Sequence, residues 1–169
     1  YKCHNGLNQG WTLDTKGVHF PRYPLRDGLR FQIKSMMKDN RALRYFEHIG
    51  GHQYRLRIQN NNPYDNKQWF VFDWRTRTIR AWGNRNMAIS IQNGGNNWYY
   101  YHYAAVVRKF KRGYALQRIR WFNGSRRNIR DQGVRCLDVH GNSNTHRRHV
   151  HWYKCHNGLN QGWTIDRKG

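Results

Sequence analysis

The chain contains the segment Tyr153-Lys154-Cys155-His156-Asn157-Gly158-Leu159-Asn160-Gln161-Gly162-Trp163-Thr164, which repeats its opening segment, Tyr1 to Thr12, letter for letter at an offset of 152 residues. When the comparison is extended to Gly17 and Gly169, 15 of 17 positions are identical. That identity exceeds what a shared turn would produce, and 152 residues is the size of a whole domain. The repeat therefore predicts a tandem array of domain-sized units.

The offset also sets the predicted domain boundaries. Residues 1–10 are assigned to the last lobe of a preceding unit, residues 11–162 to one complete unit, and residues 163–169 to the start of the next. We accordingly expect the ends of this sequence to be cuts through the array and not natural termini.

A second, weaker periodicity lies within the unit. A polar residue stands two positions before a large apolar one at four places, and the apolar residues are Trp11, Trp69, Ile119 and Trp163. Short segments between them alternate with a period of two, as in Tyr54 to Ile58, and no helical stripe is sustained. The pattern predicts an all-β chain with three unequal lobes of about four strands, 11–68, 69–118 and 119–162, closed into a pseudo-threefold barrel with the four apolar residues in its core.

Composition narrows the classes of protein to be considered. The chain is 37% hydrophobic and 15% aromatic over 169 residues, which suffices for the core of one domain. The longest strictly apolar run, Ala104 to Val107, is far shorter than a membrane span of roughly 20 residues, and no signal-peptide pattern opens the sequence. We therefore expect no membrane insertion.

Three segments of the last lobe carry a family resemblance. They are Cys136-Leu137-Asp138-Val139, Val150-His151-Trp152-Tyr153-Lys154-Cys155 and Asn160-Gln161-Gly162-Trp163. Together they resemble the third lobe of a ricin B-type (R-type) β-trefoil lectin, which implies a β-trefoil fold. The resemblance also implies a disulfide between Cys136 and Cys155, with Cys3 pairing outside this sequence. Three free buried thiols in a reducing compartment are the alternative.

The same resemblance implies a shallow sugar site in the third lobe. Its residues would be Asp138, Tyr153 and Asn160, with His151 at a neighbouring polar position. A carboxylate accepts sugar hydroxyls, an aromatic ring covers the C–H face of a sugar, and an amide both donates and accepts. The alternative is that Asp138 caps a turn and Tyr153 is ordinary sheet surface.

The other two lobes depart from this pattern. Arg44 stands where the first lobe should have the aspartate, and Ser90 stands there in the second. We therefore expect at most one sugar site of this type in each unit.

The charge points to an anionic partner. Lys and Arg number 31 against 9 Asp and Glu, a net charge of +22, which suits an acidic polysaccharide, an acidic protein or nucleic acid. The densest cluster is Arg108, Lys109, Lys111 and Arg112, in a stretch that we interpret as an insertion relative to the third lobe. A solvated charged face is the alternative for the scattered arginines. Nucleic acid is the less favoured partner, because alternate aromatic residues of Trp98 to Tyr103 are expected to face the core.

Other chemistries find little support. His146, His149 and His151 lie near Cys155 but lack a closed metal-binding spacing, so no metal and no cofactor are predicted. Glu47 is the only glutamate, and neither paired carboxylates nor a nucleophile with its base can be placed, so no catalytic activity is expected. Asn123-Gly124-Ser125 fits a glycosylation acceptor, but Asn-Gly also forms the tight turn of a hairpin.

Two functional hypotheses follow from the sequence. The first is a non-catalytic, lectin-like module of a secreted or granule-stored tandem-repeat protein that binds glycans, acidic ones above all, multivalently. The alternative is a structural repeat that assembles into an extracellular filament or matrix with neighbouring copies and an acidic protein partner, without sugar recognition.

Overall fold

Short antiparallel strands are the dominant secondary structure of the described chain. The structure is a computed structural model that describes residues 11–13, 19–21, 28–38, 40–92, 103–121 and 127–167. The strands are β1 (Trp11–Leu13), β2 (His19–Pro21), β3 (Arg30–Ser35), β4 (Arg41–His48), β5 (Gln53–Asn60), β6 (Trp69–Asp73), β7 (Thr78–Ala81), β8 (Asn84–Ile91), β9 (Tyr103–Lys109), β10 (Arg120–Trp121), β11 (Ile129–Arg130), β12 (Arg135–Val139), β13 (Val150–Lys154) and β14 (Trp163–Arg167). Single-turn 3₁₀ helices span Asn66–Gln68, Ala115–Gln117, His140–Asn142 and Leu159–Gln161.

Twelve of the strands form one sheet divided into three four-stranded lobes. β6, β7, β8 and β9 pair in sequence to form the second lobe, and β10 to β13 pair in the same way to form the third. The first lobe repeats the arrangement with β14, β3, β4 and β5. The last strands of the lobes meet where β9 pairs with both β5 and β13. This is the predicted all-β, pseudo-threefold β-trefoil.

The core follows the threefold relation residue by residue. Alternation along each strand directs one apolar side chain per lobe inward at equivalent positions. All of these side chains belong to one buried cluster: Ile33, Ile79 and Ile129; Leu43, Ile89 and Leu137; Ile58, Val107 and Trp152; and Phe70, Ile119 and Trp163. The polar side chains between them are left on the outer face, where the candidate site lies.

A buried glutamine precedes each of the last set of core residues by two positions. The pairs are Gln68 with Phe70, Gln117 with Ile119, and Gln161 with Trp163. Each glutamine donates from Nε2 to a carbonyl at the end of the preceding strand and accepts a backbone N–H in the following loop. These bonds satisfy polar groups that the tight turn would otherwise bury without partners.

The prediction of Trp69 as a core residue, at the start of the second lobe, is wrong by one position. Phe70 occupies the place of Ile119 and Trp163, both of which lie in the core as predicted. Trp69 is buried outside the core cluster, and its indole N–H donates to the carbonyl of Pro63 at 2.9 Å. A polar residue stands two positions before each of these neighbouring aromatics, so the spacing alone does not distinguish them, whereas the glutamine hydrogen bonds do.

The strand that closes the first lobe is β14. β14 pairs along its full length with β3, from Trp163 opposite Ser35 to Arg167 opposite Phe31. Among the described strands, β1, which carries the repeat copy Trp11, pairs only with β2 in a separate two-stranded sheet. Residues 163–167, assigned by the repeat to the next unit, therefore complete this barrel. The tandem unit itself stays a prediction, and residues 1–10 lie outside the described residues.

The third lobe carries the disulfide that the resemblance implies. Cys136, on β12, is bonded to Cys155, the residue after β13. The bond joins two residues that are 19 apart in sequence and fastens the end of the outer strand pair. Cys3 lies outside the described residues. No helix among the described residues has the length and apolar character needed to cross a membrane.

Candidate functional site

The candidate site lies on the outer face of the third lobe, around Asp138. Leu137 and Val139 on β12 face the core, so the alternation of the strand turns Asp138 to the opposite side. His151 lies directly across the ladder on β13, and Tyr153 follows two residues later on the same face. The 3₁₀ helix Leu159–Gln161 closes the third side.

Asp138 is the centre of the hydrogen-bond network, although only 2% of its surface is exposed. Its Oδ1 accepts from Asn160 Nδ2 at 2.9 Å and lies 3.1 Å from His151 Nε2. Its Oδ2 accepts from Gln161 Nε2 at 2.7 Å and lies 3.3 Å from His156 Nε2. A carboxylate offers about four acceptor positions, so four neighbouring groups occupy the whole capacity of this one.

Of these four contacts, that of His156 is the longest and the most accessible. The imidazole is 43% exposed, whereas Asn160 and Gln161 are buried. Its other ring nitrogen, Nδ1, accepts the backbone N–H of Gly158 at 3.1 Å. A Cβ on Gly158 would lie 2.4 Å from Asn160 Oδ1 and 2.6 Å from the ring of His156, so the glycine permits the close approach of both.

Aromatic rings form the remaining wall. Tyr153 stacks on His151 with ring centroids 5.8 Å apart and meets His156 edge to face at 5.9 Å. His140 packs against His151 at 5.1 Å. Burial lowers the pKa of His140, and the neighbouring His151 and Arg148 lower it further, so its imidazole stays neutral at neutral pH.

These residues border an open cleft of about 680 Å³. Small-molecule sites usually have volumes of roughly 300–1,000 Å³. The residues lining the cleft are Asp138, His140, Gly141, Asn142, His151, Tyr153, His156, Gly158, Leu159 and Asn160. The structure thus brings all four residues predicted for sugar binding, Asp138, His151, Tyr153 and Asn160, to one cleft. Their role in binding stays a prediction.

Among the residues that sequence reasoning did not assign to this site, three shape the surroundings of Asp138: His156, Gly158 and the buried Gln161. All three lie in the segment that is repeated letter for letter, at the copies of His4, Gly6 and Gln9. The repeat shows that the residues recur, but it gives no information about their contacts with Asp138.

The positions equivalent to Asp138 in the other two lobes carry side chains of a different chemical type. Ser90 occupies the place of Asp138 in the second lobe, where it is fully buried and its hydroxyl donates to the carbonyl of Ile91. Arg44 occupies that place in the first lobe, opposite Arg57. Neither lobe presents a carboxylate at this position.

The basic cluster lies on the second lobe. Arg108 and Lys109 end β9, and Lys111 lies in the loop that follows. Together with Phe110, Tyr114 and Gly51 they line a smaller hollow of about 380 Å³, and the side-chain charges of Arg108 and Lys111 lie 5.6 and 6.0 Å from the ring centre of Tyr114. Arg112 is exposed beside this hollow.

The interpretation of this basic stretch as an insertion is wrong. The carbonyl of Lys109 accepts from Nε2 of the lobe glutamine, Gln117, as the carbonyl of Lys154 accepts from Gln161. The second-lobe segment between these points is only one residue longer than that of the third lobe. Lys111 and Arg112 therefore lie in the loop that in the third lobe carries His156, and Arg108 and Lys109 end the strand before it.

Metal binding gains no support from the side-chain positions. Within 28–38, 40–92, 103–120 and 127–166, no three His, Cys, Asp or Glu side chains come together in a group that could hold a metal ion. Residues 98–102 of the aromatic run Trp98 to Tyr103 and the Asn123 sequon lie outside the described residues, and Tyr103 itself is 43% exposed.

Comparison with solved structures places this geometry among known folds. The chain is similar to the C-half of an earthworm R-type lectin in complex with GalNAc, with 17% identity, a TM-score of 0.64, and coverage of 83% of this chain and 99% of that one. It is also similar to a ricin B-like lectin from Macrolepiota procera in complex with lactose, with 16% identity, a TM-score of 0.64, and coverage of 86% and 99%. The chain has the β-trefoil fold of the R-type lectins.

A designed protein shares the same fold. The designed three-fold symmetric protein ThreeFoil matches with a TM-score of 0.68 at 14% identity, over 82% of this chain and 99% of the design. No protein-family model matches the chain, and no curated protein matches it significantly.

Proposed function

We propose that the chain is a non-catalytic carbohydrate-binding module that holds a sugar in the third-lobe cleft. The observation that carries the proposal is the convergence of Asp138, Asn160 and the aromatic rings of Tyr153 and His151 on one open cleft. Carboxylate, amide and aromatic surface together are what a pyranose needs, because its hydroxyls exchange hydrogen bonds while its C–H face covers a ring.

Sugar binding would replace the contact between Asp138 and His156. His156 is exposed and its contact is long, so a sugar hydroxyl that donates to Oδ2 can displace its ring at low cost. Asn160 and Gln161 would meanwhile keep the carboxylate in place. Galactosides are the first ligands to test, since the earthworm lectin structure contains GalNAc and the Macrolepiota structure contains lactose.

The test is binding to a glycan array, followed by titration calorimetry with the best ligand. Asp138→Asn should weaken binding at least tenfold because it replaces an acceptor oxygen with a donor, and Tyr153→Ala should weaken it about fivefold because it removes the stacking surface. Tyr64→Ala, an aromatic residue 87% exposed on another lobe, is the matched control and should change affinity less than twofold. If both cleft variants, folded by circular dichroism, bind as well as the parent chain, the site assignment is wrong.

We further propose that the preferred glycans are acidic. The hollow lined by Arg108, Lys109 and Lys111 lies on a chain with net charge +22, and a neutral sugar gives that charge no role. Polyanion binding is driven largely by release of counterions, which makes it steeply dependent on salt.

Heparin affinity at two salt concentrations tests this extension. Between about 50 and 200 mM salt the affinity should fall by at least tenfold. A Lys109→Ala/Lys111→Ala variant should lower both the affinity and its salt dependence, while galactoside binding in the third-lobe cleft stays unchanged. Heparin binding that does not respond to salt would contradict the proposal.

Repetition and secretion complete the proposed role. The 152-residue repeat supports a multivalent array in which linked sites gain effective concentration. The disulfide of Cys136 and Cys155 supports an oxidising compartment, such as the extracellular space or a secretory granule. Assembly of the same units into a filament with an acidic partner stays the alternative, which imaging of a multi-unit chain would reveal as ordered particles with a regular repeat.

A further inference from the structure

We propose that the first lobe carries a separate anion site, in which Arg44, Arg57 and Arg147 around Phe46 bind the sulfate groups of an acidic glycan. Only the ligand class rests on the proposed function. The site itself lies on different residues from the third-lobe cleft and from the basic hollow of the second lobe.

The position of the site follows from the threefold relation of the lobes. Asp138 and His151 face each other across β12 and β13, and Arg44 and Arg57 face each other across β4 and β5 at the equivalent place. The first lobe thus replaces a carboxylate and an imidazole with two guanidinium groups. At these two positions, side chains that can accept hydrogen bonds in the third lobe are replaced by side chains that only donate them.

The three arginines lie around the ring of Phe46 and form one cationic patch. The ring is 37% exposed, and the guanidinium carbons of Arg44, Arg57 and Arg147 lie 4.9, 5.6 and 5.8 Å from its centre. Arg147 comes from the loop before β13, which is tied to the first lobe because its backbone N–H donates to the carbonyl of Ile58 at 2.9 Å. Attraction of each cation to the ring offsets part of the repulsion among the three.

Two carboxylates hold the inner arginines in place without exhausting their donors. Arg44 Nε lies 2.5 Å from Asp65 Oδ2, and Arg57 Nη2 lies 2.7 Å from Glu47 Oε2. Nη1 of Arg44 and Nε of Arg57 are buried and have no hydrogen-bond partner among the described residues. Donors left without an acceptor in a buried position cost free energy, which favours rearrangement toward an incoming anion.

The outer arginines supply the excess charge. Within the described part of the chain, neither Arg147 nor the neighbouring Arg55 forms an ion pair with a carboxylate. The positive field is also visible at His149, whose pKa is lowered first by burial and then by Arg57 and Arg55. An anion at this patch would meet more cations than the two carboxylates neutralise.

The geometry favours a sulfated glycan over nucleic acid. Guanidinium groups present paired N–H donors that match the oxygens of a sulfate ester. Single-stranded nucleic acid binds chiefly by stacking bases on open aromatic rings. Phe46 is already contacted by three guanidiniums, so its ring is a support for cations and not a platform for bases.

The experiment measures binding of a heparin-derived hexasaccharide to the full chain by calorimetry. Arg147→Gln, which removes the charge but leaves the backbone bond to Ile58, should weaken binding on the order of tenfold. Arg147→Lys should recover part of the loss, because it restores charge but not the paired donors. Arg118→Gln removes the same charge from another exposed position and should change affinity less than twofold.

Further ligands separate this site from the others. Galactoside binding should be equal in the parent chain and Arg147→Gln, so failure of the cleft proposal would not be confused with failure here. An unsulfated uronic polysaccharide should bind more weakly than the sulfated hexasaccharide, and single-stranded DNA of equal charge should be insensitive to Arg147→Gln. Equal losses in Arg147→Gln and Arg118→Gln would overturn the proposal, and loss of DNA binding in Arg147→Gln would reassign the site to nucleic acid.

Discussion

Individual side chains decide which of three similar lobes can bind what. The backbone register places Ser90, Arg44 and Asp138 at one equivalent position, yet a buried hydroxyl, a guanidinium and a carboxylate offer entirely different hydrogen bonds. The sequence correctly predicted that only the third lobe would have the carboxylate. It did not predict that His156 and Gln161 would share that carboxylate, because contacts between segments depend on the folded loop and leave no signal in spacing.

Histidines make the stability of the fold sensitive to mild acid. Burial and nearby cations lower the pKa of His140, His146 and His149 below the ordinary value of 6.5. The unfolded chain therefore binds more protons than the folded one in the range just below pH 6.5, and the free energy of unfolding must fall as the pH falls there. Well above pH 6.5 these groups are neutral in both states and contribute no slope.

Thermal unfolding between pH 7.5 and 5 checks this expectation. The melting temperature should decline below about pH 6.5. His149→Gln should flatten the decline, because it removes a ring whose pKa is lowered by burial and then by the charges of Arg57 and Arg55. Asp73 has a lowered pKa as well, but its effect is confined to pH values near and below 3.8. A melting temperature that stays constant from pH 7.5 to 5 would contradict the assignment.

At the level of elements, the strands were easier to predict than which residues of each strand face the core. Alternation in segments such as Tyr54 to Ile58 identified hairpins, because a sheet with one buried face imposes a period of two. The sequence does not show whether Trp69 or Phe70 lies in the core cluster, since both are large aromatics and both are buried. The hydrogen bonds of Gln68 decide which of the two faces the core, and these bonds depend on the loop at Asn60 to Asn62.

The disulfide is an element-scale constraint on the third lobe. A cross-link between residues 19 apart restricts the unfolded chain and stabilises the fold by about 3 kcal/mol. Replacing Cys136 and Cys155 together with serine should therefore lower the free energy of unfolding by about that amount, measured by urea denaturation. The same urea midpoint should be reached when the parent chain is reduced. A midpoint unchanged by both treatments would show that the hairpin of β12 and β13 needs no cross-link.

On the scale of the whole molecule, two nearly identical segments stand in different places. β14 closes the barrel against β3, and the side chain of Trp163 is fully buried with its indole N–H bonded to the carbonyl of Leu137 at 2.9 Å. In the part of the chain that the structure describes, its copy β1 pairs only with β2. Sequence could not predict which copy closes the barrel, because the residues that the position requires recur in both.

Substituting the two tryptophans one at a time tests this asymmetry. Trp163→Ala removes a large side chain from the core and should lower the free energy of unfolding by about 3–5 kcal/mol. Trp11→Ala, the same substitution in the other copy, should lower it by less than about 1 kcal/mol, because the strand of Trp11 pairs with no strand of the barrel. The measurement is denaturant unfolding followed by circular dichroism. Equal losses would mean that both copies support one core, and a larger loss for Trp11→Ala would mean that the opening copy closes the barrel, as the 152-residue repeat by itself suggests.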